Sequence, residues 1–287
     1  MKALDISNLN ITIVGIGLIG GSYAKAIRKN IKINKLWAID INMDALNEAK
    51  YTGVIDDGFT NSQFPLENSD IVILCTYPNI TIDFLKENMM YFKKKALITD
   101  TLGMKNKIVS ETLSVIRDDL EFIGGHPMSG KESNGYNYSD ADIFKNAQYI
   151  LTPNKTTSSN SLNLLKQIIT SIGFSDIIEM SSQTHDEKVA FTSQLPHIIA
   201  CTLMNSSNLN NNLQCVGGSF KDATRVADIN SELWSELIFE NKDNILNELN
   251  NFIVDITNIH NIIKSDDKDN LVSFLNISKE RRKKMNI

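Results

Sequence analysis

The sequence predicts an open, doubly wound parallel α/β sheet followed by an all-helical domain. Three observations carry this. Short apolar runs recur at residues 10–14, 35–39, 71–75, 96–99, 121–124, 148–152 and 176–180, most of them bounded by Gly, Asp, Pro or charge. Between them lie stretches of helical spacing, such as Leu162, Leu165, Ile168, Ile169 and Ile172, and strands that alternate with helices build parallel sheets. After about residue 182 the strand signal ends, and four long apolar-periodic stretches follow at 183–205, 217–228, 230–264 and 266–285. The expected domains are therefore 1–182 and 183–287. The stretch 230–264 is long for one globular helix, so it is either broken or packed against a second subunit.

The first run, Ile11–Val14, leads directly into Gly15-Ile16-Gly17-Leu18-Ile19-Gly20. A helical pattern with Tyr23, Ala26 and Ile27 comes next. A glycine triplet between a strand and a helix is the fingerprint of a dinucleotide site. Gly15 permits the tight turn, Gly17 lets backbone approach a pyrophosphate, and Gly20 lets helix and strand pack closely. The first helical turn, Leu18 and Ile19, then offers unpaired N–H groups to the phosphates. Asp40 follows Gly20 by 20 residues and closes the second run. A carboxylate there accepts hydrogen bonds from the adenosine ribose and repels a 2′-phosphate, which favours NAD over NADP. Thr76-Tyr77-Pro78 follows the run Asp70–Cys75, a position that borders the cofactor crevice in such sheets. The same three residues also read as an ordinary strand-ending turn.

The fifth run, Glu121–Gly124, ends in Gly125-His126-Pro127. Flanking Gly and Pro deny a helix here. An imidazole titrates near neutrality, so His126 is the candidate to accept a hydroxyl proton as hydride leaves the same carbon.

Bulk properties narrow the function further. The chain has 287 residues, 42% of them hydrophobic, enough for a real core in one large or two ordinary domains. A net charge of −5 argues against general nucleic-acid affinity, which needs a basic face. Lys93–Lys95 and Arg281–Lys284 are short and read as a solvated loop and a helix end. The three cysteines, Cys75, Cys201 and Cys215, form no CxxC pair. We expect neither a metal site nor a disulfide framework, and a reducing cytoplasmic setting. Neither a signal peptide nor a bilayer-spanning run is evident.

The ordered set of motifs resembles the prephenate dehydrogenase family, with its arogenate and cyclohexadienyl branches. The resemblance spans about residues 10–285. It rests on Gly15–Ser22, Asp100-Thr101-Leu102-Gly103-Met104-Lys105, Gly125–Glu132 and Tyr149–Pro153. It continues in His185-Asp186, Ser193-Gln194-Leu195-Pro196-His197 and Gly218–Arg225. It implies a Rossmann domain followed by a helical dimerisation domain, and therefore a homodimer. It further implies NAD-dependent oxidative decarboxylation of prephenate to 4-hydroxyphenylpyruvate, on the route to tyrosine. His126 takes the catalytic position, and the family's substrate-carboxylate arginine falls on Arg225, whose guanidinium binds carboxylates bidentately. Lys105, Lys131, Glu132, Gln194 and His197 join it as substrate-binding candidates. Three cations against the one acid Glu132 favour the prephenate dianion over arogenate, which carries an ammonium.

Two positions depart from the family pattern. Gly103 stands where many members have serine beside the histidine, so Thr101, Ser129 or a water has to substitute. Gln194 stands where many have histidine. These departures keep a second reading open, a catalytically silent NAD-binding sensor; retention of His126 and Arg225 argues against it. His185 beside Asp186 reads as helix N-terminal capping and interdomain packing. Trp234 reads as an interface or core aromatic.

Overall fold

Eight strands form one sheet in the order β3-β2-β1-β4-β5-β6-β7-β8. The computed structural model describes residues 5–131, 133–207, 209 and 213–285. The strands are β1 Asn10–Val14, β2 Lys35–Ile39, β3 Asp57–Phe59, β4 Ile71–Leu74, β5 Leu97–Asp100, β6 Glu121–Pro127, β7 Gln148–Thr152 and β8 Asp176–Glu179. Helices α1 (Leu18–Asn30), α2 (Met43–Tyr51), α3 (Gln63–Asn68), α4 (Pro78–Asn88), α5 (Asn106–Val115) and α6 (Ser159–Ser171) cover its two faces. Alternation along β1 shows how the layers form. Ile11 and Ile13 face α1 and α6, packing with Tyr23, Ala24, Ile27, Leu165 and Ile168. Val14 faces the other way, into a cluster with Val72, Leu74, Ile82, Leu85, Ile108 and Val109.

Two features differ from the expected all-parallel sheet of seven strands. Asp57-Gly58-Phe59 adds an edge strand too short and too polar to register as an apolar run. It fits because Gly58 has no side chain: a Cβ there would lie 2.8 Å from Cβ of Leu46 on α2. The second difference is that β6 and β7 pair antiparallel, so β7 and β8 run against the first six strands. A parallel return needs a crossover of a dozen or more residues, usually a helix. Between Pro127 and Gln148 the described residues hold only the 3-10 turn Tyr136–Tyr138. Strand order reverses around β1 and β4, which opens a crevice at their carboxyl ends.

From Ser182 onward the described residues are helical or irregular. Helix α7 (Ser182–Val189) continues through a π-helical segment, Ala190–Gln194, into α8 (Leu195–Met204). Pro196 lies at the start of α8 and cannot donate an N–H to the preceding turn, which accounts for the looser winding there. Then come α9 (Gly218–Thr224), a 3-10 turn at Arg225–Ala227, α10 (Ser231–Glu240), α11 (Lys242–Lys264) and α12 (Lys268–Lys284). The long stretch 230–264 is thus broken at Asn241, a buried residue whose side chain bonds two other segments. Ile253, Val254, Ile256 and Ile263 on α11 and Val272, Phe274, Leu275 and Ile277 on α12 are exposed. Among the described residues, no helix is long and apolar enough to cross a membrane.

Candidate active site

The crevice between β1 and β4 is shaped for a dinucleotide. Gly15 has φ +86°, a conformation that disfavours any side chain. A Cβ on Gly20 would lie 1.8 Å from the Gly15 carbonyl oxygen, so only glycine lets α1 begin this close to β1. Gly17 is the N-cap of α1, and a Cβ there would meet nothing within 4 Å. Leu18 and Ile19 form the first helical turn, whose N–H groups have no intrahelical partner. Asp40, at the end of β2, holds the loop itself: its Oδ2 accepts from Ile16 N at 2.7 Å and its Oδ1 from Asn42 N at 2.8 Å. The carboxylate is thus fixed at the crevice rim with lone pairs still available for ribose hydroxyls. Thr76 and Tyr77 form the turn after β4, and Pro78 opens α4. These residues fit an NAD molecule laid across the strand ends.

His126 sits on β6, opposite Ile150 in the antiparallel pairing with β7. Its Nδ1 is 2.8 Å from Nε2 of His185, and His185 Nδ1 is 2.6 Å from Oδ1 of Asp186. This chain fixes the tautomers. A carboxylate only accepts, so His185 Nδ1 carries a proton and its Nε2 is bare. His126 Nδ1 therefore donates, and His126 Nε2 is left without a proton. That nitrogen lies 4.0 Å from where a Cβ on Gly103 would stand. Burial, then His185 and Lys105, hold His126 well below the usual histidine range. Burial lowers His185 as well, against the pull of Asp186. Both rings are neutral at physiological pH, and the outer nitrogen of His126 is a free base.

His185 and Asp186 were read from sequence as capping their own helix. The structure places them otherwise. Ser181 is the N-cap of α7, its side chain accepting from Thr184 N. Asp186 instead caps a helix of the sheet domain: its Oδ1 accepts from Lys105 N at 2.9 Å and its Oδ2 from Asn106 N at 2.8 Å, at the start of α5. The interdomain part of that expectation is retained, and the orienting role was missed. The available signal was the His-Asp dipeptide at the domain junction, two residues able to extend an imidazole pair by one carboxylate.

Other predicted residues divide sharply. Lys105 is fully buried, with its ammonium on Asp100, whose two oxygens also accept from Gly125 N and Leu102 N. Its ammonium is sealed from solvent, and its charge contributes, after burial and His185, to lowering His126. Lys131 is exposed and paired with Asp140 at 3.3 Å. Glu132 lies outside the described residues. Gln194 is buried and satisfied internally: Nε2 donates to Leu237 O at 2.9 Å, and Oε1 accepts from Asn241 Nδ2 at 2.6 Å. It serves packing between helices rather than ligand contact. His197 donates from Nδ1 to Ser193 O at 2.8 Å, and its ring stacks on Trp234 with centroids 3.9 Å apart. Trp234 is thus a packing partner of a candidate site residue. Arg225 is exposed, on the 3-10 turn that packs against α8, the helix bearing His197.

Position 103 has room for a small side chain. A Cβ there would sit 3.6 Å from the methyls of Leu237, an ordinary contact. Neither proposed hydroxyl substitute serves it: Thr101 Oγ1 donates to Leu74 O, and Ser129 Oγ donates to Ile143 O.

Comparison with known proteins agrees with this arrangement. The model for the prephenate dehydrogenase nucleotide-binding domain matches residues 23–177, and that for the prephenate dehydrogenase dimerization domain matches 181–277. The chain is 32% identical to the prephenate dehydrogenase of Bacillus subtilis over 278 residues, 95% of this chain and 75% of that protein. It is 29% identical to the cyclohexadienyl dehydrogenase of Zymomonas mobilis, covering 95% of this chain and 94% of the relative. The crystal structure of prephenate dehydrogenase from A. aeolicus in complex with hydroxyphenyl propionate and NAD+ superposes with a TM-score of 0.89 at 30% identity, covering 98% of this chain and all of that one. The two domain models in succession, and these relatives over almost the whole length, show that the chain belongs to the prephenate dehydrogenase family.

Proposed function

We propose that this chain catalyses the NAD-dependent oxidative decarboxylation of prephenate to 4-hydroxyphenylpyruvate in tyrosine biosynthesis. The single observation that carries the mechanism is the His126–His185–Asp186 chain, which leaves Nε2 of His126 unprotonated beside Gly103. NAD, when bound, supplies the hydride acceptor. Gly15, Gly17, Leu18, Ile19 and Gly20 would cradle its phosphates, Asp40 would take the ribose, and Thr76, Tyr77 and Pro78 would wall the crevice. His126 Nε2 accepts the proton of the ring hydroxyl as that carbon is oxidised. The partner imidazole passes the stabilising influence of Asp186 to the cation that forms. Loss of carbon dioxide follows from aromatisation and needs no further group from the protein, which has only to hold and orient the substrate.

Substrate charge is met differently from the sequence expectation. Lys105 and Lys131 are paired with Asp100 and Asp140, and we assign the substrate carboxylate to Arg225, on the turn that packs against the helix bearing His197. The preference for prephenate over arogenate therefore rests on Arg225 and on the kinship with prephenate dehydrogenases, no longer on a count of cations. The test is steady-state NADH formation with prephenate and arogenate, each with NAD and NADP. We expect the highest kcat/KM with prephenate and NAD. A higher value with arogenate would assign the chain to the other branch.

The sheet unit, residues 1–182, binds the cofactor, and 183–287 completes the substrate site and pairs two copies. The exposed apolar residues of α11 and α12 support a homodimer, because such a face is covered in a stable protein. Sedimentation showing only monomer at micromolar concentration would contradict it. Three free cysteines support a reducing cytoplasmic setting.

A further inference from the structure

Helix α10 roofs the reacting end of the site. Trp234 and Leu237 are three apart on it and share a face. Trp234 stacks on His197, and Leu237 borders Gly103. The carboxyl end of α10 is fixed by the Lys107–Glu240 ion pair at 2.9 Å and by Asn241 beyond it. Its amino end has a different anchor. Asn230 is the N-cap, its Oδ1 accepting from Leu233 N at 3.0 Å. The other side-chain atom, Nδ2, donates to the hydroxyl of Tyr77 at 2.8 Å. One side chain thus starts the roof helix and ties it to the turn after β4.

That turn is part of the cofactor crevice. A Cβ on Gly15 would lie 2.8 Å from the Cys75 carbonyl oxygen and 2.8 Å from Cγ2 of Thr76, so the glycine loop packs directly on it. The turn is braced internally by Thr76 Oγ1 and Thr81 Oγ1, 2.7 Å apart. A nucleotide lying on the glycine loop and this turn restrains Tyr77, and through Asn230 it restrains the start of α10.

We infer that the Tyr77–Asn230 hydrogen bond is a positioning contact that couples cofactor binding to substrate binding: an occupied crevice sets the roof helix for the substrate. The inference rests on the function proposed above. Coupling of this kind is reciprocal, so substrate tightens NAD by the same factor that NAD tightens substrate. A single neutral hydrogen bond between rigid elements carries about a 2- to 10-fold effect.

Two variants cut the contact from opposite sides. Tyr77→Phe removes only the hydroxyl. Asn230→Ser keeps a good N-cap but cannot span to Tyr77. Calorimetric titration with hydroxyphenyl propionate, which cannot be oxidised as prephenate is, measures its Kd with and without saturating NAD. In the unmodified enzyme NAD should tighten it. In each variant that ratio should fall by about 2- to 10-fold, with KM for prephenate rising more than kcat falls. The double variant should lose no more than either single one. A purely structural role would weaken binding equally with and without NAD and leave the ratio unchanged, which overturns the inference. So does a wild-type enzyme whose Kd ignores NAD. Failure of the function reading looks different: the unmodified protein then makes no NADH from prephenate.

Discussion

Asp186→Asn is the sharpest test of the proton chain, because it keeps shape and removes one property. The carboxylate accepts three hydrogen bonds, from His185 Nδ1, Lys105 N and Asn106 N. An amide has one oxygen and one NH2. If the NH2 occupies the Oδ1 side it donates to His185 Nδ1, and every proton in the chain shifts one place: His185 Nε2 donates to His126 Nδ1, and His126 Nε2 becomes protonated. No base then faces the substrate. Either way one N–H of the α5 cap is left unpaired: Lys105 N in that orientation, Asn106 N if the NH2 turns the other way, where the amide oxygen keeps the His185 bond without its charge. The wild-type tautomer is held by a charge-assisted hydrogen bond worth about 1.5–3 kcal/mol, which corresponds to about 10- to 150-fold in the ratio of competent to incompetent enzyme. We expect kcat to fall by that factor, with KM for prephenate nearly constant. The assay is NADH formation across pH, with a thermal melt to show that the loss of the α5 cap has not unfolded the protein. The wild-type acid limb should lie below 6.5, because His126 is held below that value by burial, His185 and Lys105. The variant's loss should be uniform above the limb, since none of those three has changed. A folded variant with kcat within about 2-fold of wild type would refute the tautomer argument.

Lys105→Met should cost about 3–5 kcal/mol of stability, because it strands the buried carboxylate of Asp100; a variant that melts normally but fails to bind prephenate would restore the substrate role that burial denies it. Gly103→Ser should fold normally, since position 103 has no positive φ and its Cβ meets only ordinary contacts. Its hydroxyl comes within reach of His126 Nε2, and a change in kcat/KM of about 2- to 10-fold, the worth of one hydrogen bond, is expected; an unchanged value would mean that the side chain faces solvent. Asp40→Ser should erode the preference for NAD over NADP and also raise KM for NAD, because Asp40 anchors Ile16 N; an NADP preference in the unmodified protein would remove Asp40 from the ribose site. Because the folded state lowers both His126 and His185, the unfolded chain binds more protons below their ordinary value of 6.5. The melting temperature should hold above that pH and fall as pH drops below it toward the folded-state values, and His185→Phe should flatten that fall.

Much of the nucleotide domain was legible because its signals are local. The glycine spacing and the apolar runs dictate backbone within a few residues, and tertiary packing did not override them; Gly125-His126-Pro127, expected as a loop after the strand, instead extends β6 and pairs with β7. What was misread is what local sequence cannot encode. Lys105 and Lys131 are the same residue type in neighbouring motifs, yet one is sealed against Asp100 and the other lies in solvent against Asp140. Gln194 looked like a polar group awaiting a ligand. Its partners, Leu237 O and Asn241, come from helices more than forty residues away. The reversal of β7 depended on a link that shows no α-helix among its described residues, a negative signal that apolar periodicity does not report.

The site also explains why a helical domain is needed for chemistry whose crevice and histidine both lie on the sheet. The sheet contributes the crevice, His126, and, with the buried Lys105 ammonium, part of what keeps that imidazole neutral, the largest cause being burial. It contributes no acceptor for His126 Nδ1. Left alone, the ring could place its proton on either nitrogen. His185 and Asp186 come from α7, and the same carboxylate that fixes the tautomer also caps α5 in the sheet domain. One group therefore does two things at once: it holds the domains in register and points the bare nitrogen at the substrate. Any change that loosens α7 from α5 should lower kcat before it lowers affinity for NAD, because the cofactor crevice is built entirely from the sheet side, whereas the base is defined only when both domains are in place.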